Sequence, residues 1–154
     1  MGYEEWLSLL GRPANDRKVV SALAVQGIIT PVVFGVDESS TGVDFKMHGI
    51  SLGFTSEFLL NDGIADLPIL ATVVMKPLLG KNDKGWTAYT GSLPHGLKAS
   101  DSKDDVLALL GTPVNLDEDF CSALWVIDGQ ELGILFTDDW KRIKQVGLSL
   151  PGGV

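Results

Sequence analysis

Leu-Leu-Gly-x-Pro occurs twice in this chain, at Leu9–Pro13 and at Leu109–Pro113. Each copy is a stop signal. The leucines close an apolar helix face, the glycine suits the left-handed position past the helix, and the proline prevents continuation. Each stop is followed by a glycine-marked hairpin, Gly49-Ile50-Ser51-Leu52-Gly53 and Gly129-Gln130-Glu131-Leu132-Gly133. An apolar strand ended by proline closes each series, at Pro77 and Pro151. The same landmarks in the same order read as an internal repeat over 3–77 and 100–151, inside one domain of 154 residues. Gly and Pro punctuate any α+β chain, so coincidence remains the competing explanation. The expected fold is α+β: two related helix-plus-hairpin halves, with one antiparallel sheet and helices packed on one face.

Local patterns predict the elements. Tyr3, Trp6, Leu7 and Leu10 recur at helical spacing and predict a helix over Tyr3–Leu10. A second helix starts at Asn15 or Asp16 and runs to Gln26, ended by Gly27. Ile28–Val36 is β-branched and apolar, which predicts an edge or bulged strand around Pro31. Strands are also expected at Val43–Met47, Ile50–Phe54, Leu67–Lys76 and Trp86–Thr90. In the second half, Ser102-Lys103-Asp104-Asp105 resembles a capping box with Asp in place of Glu. Val106, Leu109 and Leu110 are its expected buried face. Ala123–Ile127 and Leu132–Thr137 are strands joined by Asp128-Gly129, a strong two-residue hairpin signal. Ile143 to Leu150 is the last strand.

Composition excludes several classes. Twenty acids against twelve bases give a net charge of −8, the wrong sign for a nucleic-acid binder. A single cysteine, Cys121, rules out an internal disulfide framework and suits a reduced, partly buried thiol. The N-terminus lacks the basic and apolar regions of a signal peptide, which predicts a cytoplasmic protein. Val19 to Val36 is free of charge for 18 residues, but Gly27 and Pro31 would break a spanning helix. No membrane association is expected.

The sequence offers no catalytic site. Gly49-Ile50-Ser51-Leu52-Gly53 matches the nucleophile-elbow spacing, but that device needs a strand-to-helix turn, and a strand is expected to follow. Gly80 to Gly85 spaces two glycines like a P-loop, but Trp86 and Thr87 replace the required Lys and Ser/Thr. His48 and His95 stand alone, so no zinc spacing exists. Asp117-Glu118-Asp119 lacks the alternation of a calcium loop. No cofactor or metal is expected, and the chain is read as a non-enzyme.

Charge distribution is the informative feature. Residues 1–100 carry a net charge of −2 and residues 140–154 carry +3. Residues 101–139 hold ten acids and one base, Lys103, for −9. Dense like charge repels itself, and a basic partner would relieve that cost and be steered in quickly. Phe120, Trp125 and Trp140 lie nearby in sequence. Trp125, in a strand, is expected in the core, which leaves Trp140 as the anchor. The expected partner-binding residues are Asp104, Asp105, Asp117, Glu118, Asp119 and Trp140. The competing explanation is a solvated face that keeps the protein soluble.

A helix, Leu-Gly-x-Pro, the aromatic strand Leu124-Trp125-Val126, a glycine turn and a further strand resemble the module of BamE, the outer-membrane assembly lipoprotein. The tandem arrangement resembles the β-lactamase inhibitory protein family, which pairs two such modules. The likeness covers 100–151 best and 3–77 loosely. BamE lipoproteins carry a lipid-bearing Cys after a leader, and the inhibitors are stapled by disulfides. Neither feature is read here, so the resemblance implies the fold and neither function. Tyr89-Thr90-Gly91-Ser92-Leu93-Pro94-His95-Gly96-Leu97, running into the Ser102 helix, resembles cytosolic immunity proteins encoded beside bacterial secreted toxins. That resemblance implies a cognate protein toxin as partner. The resulting expectation is a cytosolic immunity protein that occludes a basic toxin, such as a nuclease, through an acidic surface that mimics phosphate charge. The alternative is a small-molecule binding or sensing domain with an apolar pocket between sheet and helices. Oligomeric state is not legible in the sequence.

Overall fold

The computed structural model describes residues 2–56 and 67–151. Residues 57–66, within the expected repeat span 3–77, lie outside the described residues, as do 1 and 152–154 of the expected single domain. The chain combines helices with a large antiparallel sheet. Helices α1 (Tyr3–Leu7) and α2 (Arg17–Val25) precede β1 (Ser40–Phe45), β2 (Ile50–Ser56) and β3 (Pro68–Met75). Then follow α3 (Lys103–Leu110), β4 (Asn115–Asp117), β5 (Ser122–Ile127), β6 (Gln130–Phe136) and β7 (Ile143–Ser149). The seven strands form one sheet in the order β1-β2-β3-β7-β6-β5-β4.

The sheet is two meanders joined at their last strands. β1-β2-β3 and β4-β5-β6-β7 each run through neighbouring antiparallel pairs. β3 and β7 meet in the centre, with Thr72 opposite Ser149, Val73 opposite Leu148, Val74 opposite Gly147 and Met75 opposite Val146. Strand period two then separates the faces. Leu52, Val73, Met75, Leu132, Ile134, Val146 and Leu148 are buried, while their neighbours Thr72, Val74, Gly133, Leu135 and Gly147 are half-exposed. Trp6 of α1, Val19 and Leu23 of α2 and Val106 of α3 join the buried set in one cluster. Trp6 stacks on Phe45 with ring centroids 5.3 Å apart, which ties α1 to the end of β1.

Local signals set the helix ends. Asp16 caps α2, its side chain accepting from the Lys18 N–H. Gly11 and Gly111 hold positive φ of 88° and 84°, which favours glycine, but Gly11 lies four residues past the end of α1, and Gly111, with ψ of −160°, is outside the left-handed helical region. Gly11 also donates its N–H to the Leu70 carbonyl at 2.8 Å, so the first stop docks against β3. Asp128 and Gly129 have φ of 53° and 76°, both positive as in the primed hairpin turn.

Several expectations are corrected. The first helix ends at Leu7, and Ser8 to Leu10 continue as turns. Among the described residues Ile28–Val36 joins no ladder, and Trp86–Thr90 makes isolated bonds, Trp86 N–H to the Asp83 carbonyl, Thr87 N–H to the Lys46 carbonyl and Tyr89 N–H to the Lys76 carbonyl. The strand expected at Val43–Met47 starts at Ser40 and stops at Phe45, where Lys46–His48 turns as a 3₁₀ helix. On α3, Leu109 is 51% exposed, and Leu107 packs on the core instead. β4 was not foreseen; three residues pair with the start of β5 inside the acidic segment. Among the described residues no helix is long and apolar enough to cross a membrane.

Candidate functional site

The acidic segment is built from turns that use their own carboxylates. At the start of α3, Ser102 Oγ accepts the Asp105 N–H at 3.2 Å and Asp105 Oδ2 accepts the Ser102 N–H at 3.0 Å. This is the capping box read from the sequence, with Asp in the acidic position. The Ser102 N–H and hydroxyl hold the Asp105 carboxyl below the usual carboxylate range. Between β4 and β5, Asp117 Oδ1 accepts the N–H groups of Asp119 and Phe120 at 3.1 and 3.2 Å. That side chain folds its own turn. Between β6 and β7, the Thr137 hydroxyl and the Lys141 N–H both donate to Asp139 Oδ1. These donors, the hydroxyl first, lower the Asp139 carboxyl.

These turns meet at one end of the sheet. The Lys103 N–H donates to the Trp140 carbonyl at 2.9 Å, which joins α3 to the β6–β7 turn. The Phe136 N–H donates to the Cys121 carbonyl at 2.8 Å, which joins the β4–β5 turn to the end of β6. Cys121 Sγ lies 3.9 Å from the carbonyls of both Glu118 and Asp138. Cys121 and Trp140 take left-handed conformations, with φ of 52° and 61°, at these two corners. Asp101, Asp104, Asp105, Asp117, Glu118, Asp119, Asp138 and Asp139 therefore share that end, while Asp128 and Glu131 sit at the far end of the β5–β6 hairpin.

The expected site residues divide by what already holds them. Asp104, Glu118 and Asp119 are exposed, and no hydrogen bond or ion pair engages their carboxylates among the described residues. Asp105 and Asp117 are committed to local turns. Trp140 is partly engaged within the fold. It is half-buried, lies 5.5 Å from the Phe136 ring, and carries Lys103 Nζ 4.8 Å above its own ring. The exposed aromatic is Phe120, 73% accessible in the Asp117 turn. Its position directly after three acids was the available signal. Trp125 is buried as expected, with Nε1 donating to the Gly111 carbonyl at 3.1 Å.

Charge is left uncompensated here. Among the described residues the ion pairs are Arg12 with Asp16 and Lys76 with Asp83, both outside the acidic segment. None of the ten acids of residues 101–139 is in one.

The motif-like stretches hold no converging chemistry. Ser51 lies in β2 opposite Asp44, and its hydroxyl donates to Asp44 Oδ1 at 2.7 Å. A strand, not a helix, follows Gly49, so the nucleophile-elbow geometry is not met. Asp83 in the Gly80–Gly85 turn accepts the Gly80 N–H and pairs with Lys76 at 2.9 Å. The Gly80 N–H first and Lys76 second lower its carboxyl. Among the described residues no group of three His, Cys, Asp or Glu side chains could hold a metal ion. The open face of the sheet forms a shallow hollow of about 400 Å³, and Glu131 is its one ionisable lining residue. An apolar groove of about 450 Å³ lies between α2 and residues 28–32, away from the sheet.

No family model matches the chain, and no curated protein or solved structure is significantly similar to it.

Proposed function

We propose that this chain is a non-catalytic binding protein, a cytoplasmic immunity protein that neutralises a basic toxin by covering its active site. The observation that carries this reading is the end of the sheet just described. Eight acids gather there, with no ion pair among the described residues, at the same end of the sheet as the exposed ring of Phe120. The exposed carboxylates of Asp104, Glu118 and Asp119 hold no turn, so their self-repulsion is not offset by a contact within the fold among the described residues. A basic surface relieves that cost on binding, and the long-range field speeds its arrival. A nuclease fits best, because its active site attracts phosphate charge. Phe120 supplies the apolar contact that fixes the complex once steering has brought it together.

The same reading includes two related halves. Both Leu-Leu-Gly-x-Pro stops place their glycine at positive φ, as do Gly49 and Gly129 before the two returning strands. Each half would then end in one of the central strands, β3 or β7. These features support duplication of a BamE-like module.

The test is a pull-down with the tagged chain, washed at low and then high salt, followed by charge reversal. A basic protein retained at low salt and released by high salt is expected. Replacing Asp104, Glu118, Asp119 and Asp138 with Lys should abolish its capture. Capture unchanged by that fourfold reversal would falsify the proposal.

A further inference from the structure

A second surface stands apart from the acidic end. No residue from Val19 to Val36 is charged. Five branched side chains in that stretch are exposed: Val20 at 50%, Val25 at 79%, Ile29 at 85%, Val33 at 68% and Val36 at 92%. Together they present on the order of 600 Å² of apolar surface, the upper end for the largest patch on a soluble monomer. The groove beside them is lined by Val20, Leu23, Ile28, Ile29, Pro31 and Val32.

Past α2 and its closing turn, the backbone from Ile29 to Phe34 has no backbone partner among the described residues. From Pro31 to Gly35, exposure alternates: Val32 and Phe34 are half-buried, while Pro31, Val33 and Gly35 are exposed. Period two is that of an extended chain. An extended, β-branched segment with unpaired backbone groups is a template for strand pairing. Exposed edges are commonly protected by a charge, and this one has none.

We propose that residues 29–36 bind the same segment of a second copy, as antiparallel strands about a two-fold axis. Charge selects this occupant. Each copy carries −8, so two copies repel wherever charged surfaces meet, and this neutral stretch lets them approach. A basic partner finds no opposite charge here and is drawn to the other site. Area agrees when the contact also covers Val20 and Val25 of α2: the five exposed side chains of both copies then bury on the order of 1,200 Å², the lower bound for a specific, stable interface. A self-complementary strand also satisfies the symmetry of a two-fold contact, in which both copies use the same residues. Pro31 has no N–H, so its position faces away from the partner strand, and Thr30, Val32 and Phe34 form the ladder.

Sedimentation equilibrium of the purified full chain, from micromolar to millimolar concentration, tests this independently of any toxin. The apparent mass should rise from 16.5 kDa towards twice that value. Amide exchange of Thr30, Val32 and Phe34 should slow as it does. Ile29→Asp and Val33→Asp, both at exposed positions, should each weaken association at least tenfold, with unchanged circular dichroism showing that the fold is intact. A chain that stays monomeric throughout would overturn the proposal and leave the patch to a different occupant. So would a dimer that survives both substitutions.

Discussion

Lys103 Nζ sits 4.8 Å above the ring of Trp140, and the Lys103 N–H donates to the Trp140 carbonyl at 2.9 Å. The one base of the acidic segment is thus spent on holding α3 to the β6–β7 turn. It neutralises none of the surrounding carboxylates within ion-pair distance. The indole, covered by Lys103 and packed on Phe136, is a structural part of this end of the sheet.

Phe120 and Trp140 should therefore separate binding from stability. Phe120→Ala removes an exposed ring and should shift stability by less than about 0.5 kcal/mol. It should weaken partner binding by about 2 kcal/mol or more, as a central aromatic anchor does. Trp140→Ala should show the opposite pattern, losing about 2 kcal/mol of stability through the Phe136 and Lys103 contacts. Urea midpoints and affinities for the captured partner, measured on the same two variants, check both statements.

Among the described glycines, Gly49 is the position where a methyl group is least tolerable. Its φ is 67°, and a Cβ there would lie 2.3 Å from the Tyr89 nitrogen and 2.8 Å from the Thr87 carbonyl oxygen. Backbone atoms cannot swing aside as a flexible side chain can. Gly49→Ala should cost about 3 kcal/mol, from left-handed strain plus overpacking. Gly129→Ala is the control, since its φ is 76° but nothing lies within 4 Å of the added atom. It should cost about 1 kcal/mol, from backbone strain alone. Equal losses by chemical denaturation would show that the segment around Tyr89 gives way.

Trp125 links the sheet to the second stop. Its indole N–H donates to the Gly111 carbonyl at 3.1 Å, an acceptor just past the end of α3. Trp125→Phe keeps most of the buried ring and removes the donor. The expected loss is about 1 kcal/mol, with amide exchange in α3 accelerated. Unchanged exchange in α3 would contradict the link.

Acid should destabilise the protein through particular carboxylates. Asp16, Asp83, Asp105 and Asp139 are all held below the usual range. The causes are the Lys18 N–H at Asp16, the Gly80 N–H and Lys76 at Asp83, the Ser102 donors at Asp105 and the Thr137 hydroxyl at Asp139. A depressed folded pKa stabilises the native state above the unfolded value, near about 3.9 for Asp. That contribution is lost as pH falls through the folded values. The urea midpoint should thus drop below about pH 4. Asp105→Asn should flatten that fall, because the capping carboxylate no longer titrates.

How much of this was legible in the sequence differs by element. The second stop, the Asp128-Gly129 hairpin, the Asp16 cap and the Ser102 capping box appear as read, whereas the first helix ends four residues before Gly11. Each is decided within a few residues by φ or by one side-chain bond. Ile28–Val36 has the composition of a strand and pairs with nothing among the described residues. Asn115–Asp117 has no such composition and pairs with β5. Propensity describes what a segment tolerates, whereas a strand exists only when a neighbour offers its backbone.

The same division holds for the site. The sequence by itself determined that residues 101–139, at −9, carry the whole of the excess negative charge, because charge is additive and needs no fold. Only the tertiary structure decided which of those acids are spent. Asp105, Asp117 and Asp139 are consumed by their own turns, while Asp104, Glu118 and Asp119 are left exposed. It also packed Trp140 against Phe136 and left Phe120 in solvent. A charge count records which groups exist, but their availability depends on neighbours brought in from distant parts of the chain, and those contacts form only on folding.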